Sequence, residues 1–134
     1  MYLLDTNILS ELVKKNPNPN LMIRLESIPS ASFYTASICV MELRYGVLRR
    51  GNPSDLWSRI EKSILSKIRI LNFSYKDALK AAEVLSELYS IGQPIGIEDV
   101  MIGSMALSNG LVLVSANIKH FSRIPNLKSE NWLL

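Results

Sequence analysis

A chain of 134 residues has the length of one ordinary domain and can bury a core without disulfide or metal staples. With 48% apolar and 20% charged residues and no low-complexity tract, it is not a disordered protein; a net charge of +3 is compatible with a polyanionic partner but requires none. The single cysteine, Cys39, excludes an internal disulfide and, among Ile38, Val40 and Met41, reads as a buried thiol of a cytoplasmic protein. No basic leader is expected at the amino end, and no apolar run reaches the roughly 18 to 20 residues of a membrane span.

Tyr2-Leu3-Leu4 reads as a short buried strand, and Ile8, Leu9, Leu12 and Val13 give the next segment, from Asn7 to Val13, helical spacing. After the turn-rich Asn16-Pro17-Asn18-Pro19, Leu21, Leu25 and Ile28 mark a second helix that stops before Pro29. Phe33-Tyr34-Thr35 is the next strand. Ser37 is the expected N-cap of a helix running to about Arg50 and closed by Gly51, and Asn52-Pro53 is expected to open another, with Trp57, Ile60 and Ile64 inward. Ile68 to Leu71 reads as a strand. From Lys76 to Ile91, Ala78, Ala81, Ala82, Leu85, Leu88 and Tyr89 form an apolar stripe opposite Lys80, Glu83 and Glu87, and Gly92 ends that helix. A helix from about Glu98 to Ser108 follows, then the apolar run Leu111 to Val114 as a strand covered on both faces, then a short final strand or tail. Strands alternating with helices predict one α/β domain over 1–134, with a mainly parallel sheet and right-handed crossovers.

Four polar signals fall where a strand hands over to a helix or lie early in one: Asp5, Glu42, Asp99 and Asn117. In an open parallel sheet, ligands bind outside the carboxyl ends of the strands, so residues remote in sequence converge there. Asp5 and Asp99 interrupt apolar segments, where an unpaired carboxylate is costly. Carboxylate ends about 5 Å apart repel by about 3 kcal/mol at an effective dielectric of 20, and a hard cation such as Mg²⁺ or Mn²⁺ removes that penalty. Such an ion would activate a water for in-line attack on phosphorus. Asn117 brings an amide and no charge, and Ser115 is placed to orient Asp5.

Each residue also has an ordinary reading. Asp5 and Asp99 would serve as a cap and a first-turn acid, Glu42 as an exposed helix residue paired with a nearby base, and Asn117 as a turn residue. His120, the only histidine, is set aside as a general base because no nucleophile or second ligand stands at a recognisable spacing. Glu98, adjacent to Asp99, is expected to point elsewhere. Lys14, Lys15, Arg44, Arg49, Arg50 and Lys119 are candidates for phosphate contacts or simply a solvated face.

Leu3-Leu4-Asp5-Thr6-Asn7, Met41-Glu42-Leu43-Arg44-Tyr45-Gly46, Pro94 through Asp99, Ser115-Ala116-Asn117 and His120-Phe121 together resemble the PIN-domain ribonucleases, and within them the VapC-like toxins of type II toxin–antitoxin pairs. The resemblance covers essentially the whole chain. It implies a PIN-like three-layer sandwich and a Mg²⁺- or Mn²⁺-dependent endoribonuclease with catalytic positions Asp5, Glu42, Asp99 and Asn117. The first three would hold metal, with Ser115 and Asn7 in support. It further implies a homodimer, an RNA substrate and a small DNA-binding antitoxin whose carboxyl-terminal segment covers the pocket. Asn117 stands where the family has a fourth acid, which leaves one or two ions open, and Ser115 stands where it often has threonine.

Two other classes compete. A non-catalytic PIN-like module that binds RNA or protein would show negligible metal affinity despite a folded site. A phosphotransfer protein would need paired acids at the first strand end, and Asp5-Thr6-Asn7 lacks the second carboxylate. A short reading frame for a small DNA-binding protein immediately upstream would favour the toxin reading.

Overall fold

The computed structural model describes residues 1–134. Five strands, β1 (Tyr2–Leu4), β2 (Phe33–Ala36), β3 (Arg69–Leu71), β4 (Val112–Val114) and β5 (Ser129–Glu130), form one sheet in the order β3-β2-β1-β4-β5. Every pairing is parallel. Seven helices flank the sheet: α1 (Thr6–Val13), α2 (Pro19–Glu26), α3 (Ser37–Arg49), α4 (Leu56–Ser63), α5 (Tyr75–Ser90), α6 (Ile97–Ser108) and α7 (Ile118–Phe121). None is long and apolar enough to cross a membrane. The α/β class and the parallel sheet expected from the sequence are those found.

The strand order makes β1 the pivot, because the chain moves from it to β2 on one side and later returns to β4 on the other. That is the switch point at which open α/β sheets bind ligands. The register pairs Leu4 with Thr35 and with Val114, so the next residues, Asp5, Ala36 and Ser115, stand side by side at the carboxyl end of the sheet, Ala36 as the last residue of β2. Leu3, Leu4, Leu113 and Val114 are fully buried, as the middle of a sheet covered on both faces requires.

Several expectations are corrected. Ser37 is the first residue of α3 rather than its cap; Ala36 takes that place with no side-chain bond. Asn52-Pro53 does not open α4. Gly51 and Asn52 adopt left-handed backbone, φ 86° and 52°, and Asn52 N–H returns to Val47 O, so the pair closes α3. Asp55, also left-handed at φ 65°, then leads into α4. The stripe on α5 is wider than the face the core accepts: Ala81, Val84 and Leu88 are buried, whereas Ala78, Ala82, Leu85 and Tyr89 lie on the exposed side.

Helix α6 is buried nearly all round, through Val100, Ile102, Gly103, Ser104, Met105 and Ala106. Gly103 permits the packing of the segment after β4, since a Cβ there would stand 2.5 Å from Ile124 Cδ1. Phe121 is fully buried, and that burial contributes roughly 2 to 3 kcal/mol toward holding one-turn helix α7 beside the start of α6. The chain is thereby brought back across the end of the sheet from which Asp5 emerges.

Candidate functional site

Asp5, Glu42, Asp99 and Asn117 line a single cleft of about 500 Å³, together with Asn7 and Lys14. Asp5 caps α1 from the end of β1, accepting from Thr6 N–H at 2.8 Å. Ser115 Oγ donates to its other oxygen at 2.7 Å, a bond that follows from the register of β1 and β4. Asn7 Nδ2 approaches that oxygen at 3.3 Å while Asn7 Oδ1 accepts from Ala116 N–H at 3.0 Å, tying the start of α1 to the end of β4. Asn117 N–H donates to Ser115 Oγ at 2.9 Å. The cap role and the cleft role of Asp5 therefore coexist in one side chain.

Glu42 sits in the second turn of α3 and accepts from Thr6 Oγ1 at 2.7 Å. Asp99 is in the first turn of α6, whose cap, Gly96, offers no side chain. Asn117 Nδ2 lies 3.5 Å from Asp99 Oδ2 and 2.9 Å from His120 Nδ1, and that ring nitrogen is 3.2 Å from Asp99 Oδ2. Sequence reasoning set His120 aside and overlooked Thr6. The signal for His120 lay in its neighbour: Phe121 is the residue the core takes, and Asn117 and His120, three apart on one helical turn, then face the same way.

Electrostatically the cleft is under-compensated. No lysine or arginine nitrogen comes within 4.0 Å of Asp5, Glu42 or Asp99, the ion pairs of the molecule lying elsewhere apart from His120 beside Asp99. Burial raises the Asp5 carboxyl above its ordinary 3.8, and the Asp99 charge adds to this against the bonds from Ser115 and Thr6. Burial likewise raises Glu42, with further contributions from Asp5, Asp99 and Glu98. Glu98, although exposed, thus reaches Glu42 as a charge. Cys39, 3.9 Å from Asp5 Oδ1, is pushed up to about 12 by burial and by Asp5, and stays an inert thiol.

No three His, Cys, Asp or Glu side chains close into a ready ligand cage. The donor chemistry nevertheless fits a hard divalent ion: carboxylates from three elements facing one polar cleft, two of them with raised proton affinity and none with a lysine or arginine nitrogen within 4.0 Å.

The model of the PIN domain matches residues 2–127. The chain belongs to the PIN-domain family. It is 36% identical to Ribonuclease VapC2 of Rickettsia felis over 98% of each chain, and 30% identical to the tRNA(fMet)-specific endonuclease VapC of Salmonella typhimurium over 98% of this chain and 97% of that one. The crystal structure of VapBC2 from Rickettsia felis, bound to a DNA fragment from its promoter, superimposes with a TM-score of 0.89 at 36% identity, covering 98% of each chain. The PIN-like α/β fold and the VapC-like ribonuclease family expected from the motifs are therefore established for this chain.

Proposed function

We propose that this VapC-like PIN-domain protein is the toxin of a toxin–antitoxin pair and hydrolyses RNA phosphodiester bonds at the cleft around Asp5, Glu42 and Asp99, with Mg²⁺ or Mn²⁺. The observation that carries the reading is the meeting of these three carboxylates, without a lysine or arginine partner, at the switch point of a PIN-like sheet. A bound ion supplies charge neutralisation and a water of lowered pKa. The chain's own residues supply the rest. Asp5, Glu42 and Asp99 hold the ion, Ser115 and Asn7 fix the rotamer of Asp5, and Thr6 fixes that of Glu42. Lys14, 65% exposed on the cleft wall and leaning on Glu11, is free to swing onto a substrate phosphate. An open, shallow cleft suits unstacked RNA, whose scissile phosphate can enter, better than a stiff duplex.

Two partners belong to this reading. A homodimer is supported by the outer side of α5, where Tyr75, Leu79, Leu85 and Tyr89 are 80%, 52%, 42% and 85% exposed with Ala78 and Ala82 between them. The charged residues of that helix lie to one side, and a second copy would cover the apolar face about a two-fold axis. Light scattering should give twice 15.1 kDa for the parent, and Leu79→Lys should give a monomer. A small DNA-binding antitoxin is supported by the VapBC neighbour and by an apolar groove of about 300 Å³ lined by Leu12, Met22, Leu25, Phe33, Ile64 and Ile68, suited to an apolar segment of another chain.

Purified, antitoxin-free protein should cut single-stranded or loop RNA with Mg²⁺ or Mn²⁺ and stop on addition of EDTA. Equal cleavage in EDTA contradicts the reading, as does a folded protein with no divalent-ion affinity.

A further inference from the structure

The carboxylate cleft does not end at Glu42. A narrow trough of about 70 Å³ runs on from it between α1, α3 and α4, and Ser10 and Glu42 stand on the walls of both. Val13, Gly46, Arg50 and Ile60 line the part beyond. Glu42, Gly46 and Arg50 follow one another at intervals of four residues, so they share one face of α3 and its C-cap.

Two features of that face have no use within the fold. Gly46 lies in the interior of α3, where glycine is less favourable than alanine, yet a Cβ there would meet no heavy atom within 4 Å. Its backbone is not left-handed either, so neither close packing nor a turn requires a glycine. Arg50 is exposed and has neither an acid within 4.0 Å nor an aromatic ring beneath its guanidinium. Arg44, by contrast, lies over Trp57 at 5.3 Å and Arg49 over Tyr45 at 5.7 Å. Of these three arginines only Arg50 is uncommitted.

An open floor that leads from the carboxylates to an unpaired guanidinium fits an anion that arrives with the substrate. We propose that the trough holds the phosphate next to the scissile one on the RNA strand, which passes over Gly46 and is gripped by Arg50. The inference rests on the nuclease reading, which puts the scissile phosphate beside Glu42, and goes beyond it by assigning a path to the strand and a residue to the flanking phosphate. Eight helical residues place the Cα atoms of Glu42 and Arg50 about 12 Å apart, and the arginine side chain spans part of that interval, leaving the length of a nucleotide between the two phosphates. The trough is well below the size of a pocket for a ring system, so it takes a phosphate rather than a base. The contact therefore sets affinity and register and carries no sequence preference.

Binding of a fluorescein-labelled single-stranded oligoribonucleotide to the full chain, followed by anisotropy in EDTA over a range of KCl, reads the contact apart from cleavage. Arg50→Ala should weaken binding about 10-fold at low salt and reduce the slope of log affinity against log salt by about 0.7, the loss of one phosphate contact on a single strand. Arg50→Lys should keep the slope. Lys128→Ala removes the same charge from an exposed position at the amino end of the sheet and should change neither quantity. Gly46→Leu keeps every charge; it should melt above the parent, because leucine favours a helix, and still bind RNA about 10-fold more weakly. In cleavage with Mn²⁺, Arg50→Ala should raise KM about 10-fold while kcat changes less than about 3-fold. A parental salt slope in Arg50→Ala overturns the inference, as does parental RNA affinity in a folded Gly46→Leu; the trough then belongs to a protein segment. The Arg50 arm decides alone if Gly46→Leu misfolds. Metal-dependent cleavage with an unchanged salt slope removes only this inference; a lost slope without metal-dependent cleavage removes only the nuclease reading; a parent that binds no RNA removes both.

Discussion

Asp5 and Asp77 are the two buried acidic residues of the chain, 5% and 1% exposed, and their surroundings drive them in opposite directions. Both cap helices. Asp77 closes a reciprocal box at the start of α5, accepting from Ser74 N–H at 2.8 Å while its own N–H reaches Ser74 Oγ at 3.3 Å. Ser108 Oγ and Asn109 Nδ2, at the end of α6, also donate to it, so one carboxylate ties two packed helices together. Burial acts to raise Asp77, and these bonds with the Lys76 charge outweigh it, leaving the carboxyl below its ordinary value. Asp5 has donors as well, yet burial and the Asp99 charge prevail. The difference lies in what is left over. Asp77 faces donors alone, whereas Asp5 shares a cleft with two other carboxylates and no lysine or arginine partner, which is the signature of a charge waiting for an external partner.

Exchanging each acid for its amide or alanine should separate the two cases. The largest expected effect is on catalysis: Asp5→Asn should lower RNA cleavage by about three orders of magnitude or more, the scale of losing several kcal/mol of charge stabilisation. Its stability without metal should stay within about 1 kcal/mol of the parent in urea unfolding. Asp77→Ala should do the reverse, costing about 2 to 4 kcal/mol through the lost cap and the stranded donors of Ser108 and Asn109, with cleavage per folded molecule unchanged. A catalytic defect in folded Asp77→Ala would break the comparison.

Acid titration sharpens it. The lowered Asp77 carboxyl contributes stability that is complete above the unfolded value of 3.8 and is lost as pH falls from there through its lower folded value. The raised Asp5 carboxyl has the opposite sign: it costs stability above its folded value, and that cost disappears as pH falls toward 3.8. In metal-free protein, the stability of the parent relative to Asp5→Asn should therefore increase on acidification, while that relative to Asp77→Asn should shrink below pH 3.8. Parallel curves would contradict the assignment. The smallest effect is expected at Thr6, whose hydroxyl orients Glu42. Thr6→Val should weaken Mn²⁺ binding about 10-fold by calorimetry, and Thr6→Ser should restore most of it.

The strands and most helices were legible because apolar periodicity is local, and Asp5 was legible because it breaks an apolar strand at its end. What was misread depended on which of two local signals the tertiary structure used. Asn52-Pro53 carries the chemistry of a helix entry, but the left-handed Gly51 and Asn52 spend it on the exit from α3. The α5 stripe is apolar over more than the width one core can bury, so sequence alone could not say that Tyr89 would be 85% exposed and Leu88 1%. His120 escaped for a third reason: α7 spans four residues, too few to show a period, and its meeting with Asp99 depends on Phe121 being drawn into the core.

The central claim, that the carboxylates of the cleft repel one another until a divalent ion joins them, is tested most directly by the melting temperatures of the parent and Asp99→Asn with and without Mn²⁺. Without metal, the variant should melt at the same temperature as the parent or higher, because one repelling charge is gone. Mn²⁺ at about 100 times its dissociation constant should stabilise the parent by about 2.7 kcal/mol, a rise of about 10 °C, and the variant by much less. A metal-free variant that melts well below the parent, or an equal response of the two proteins to Mn²⁺, would contradict the account.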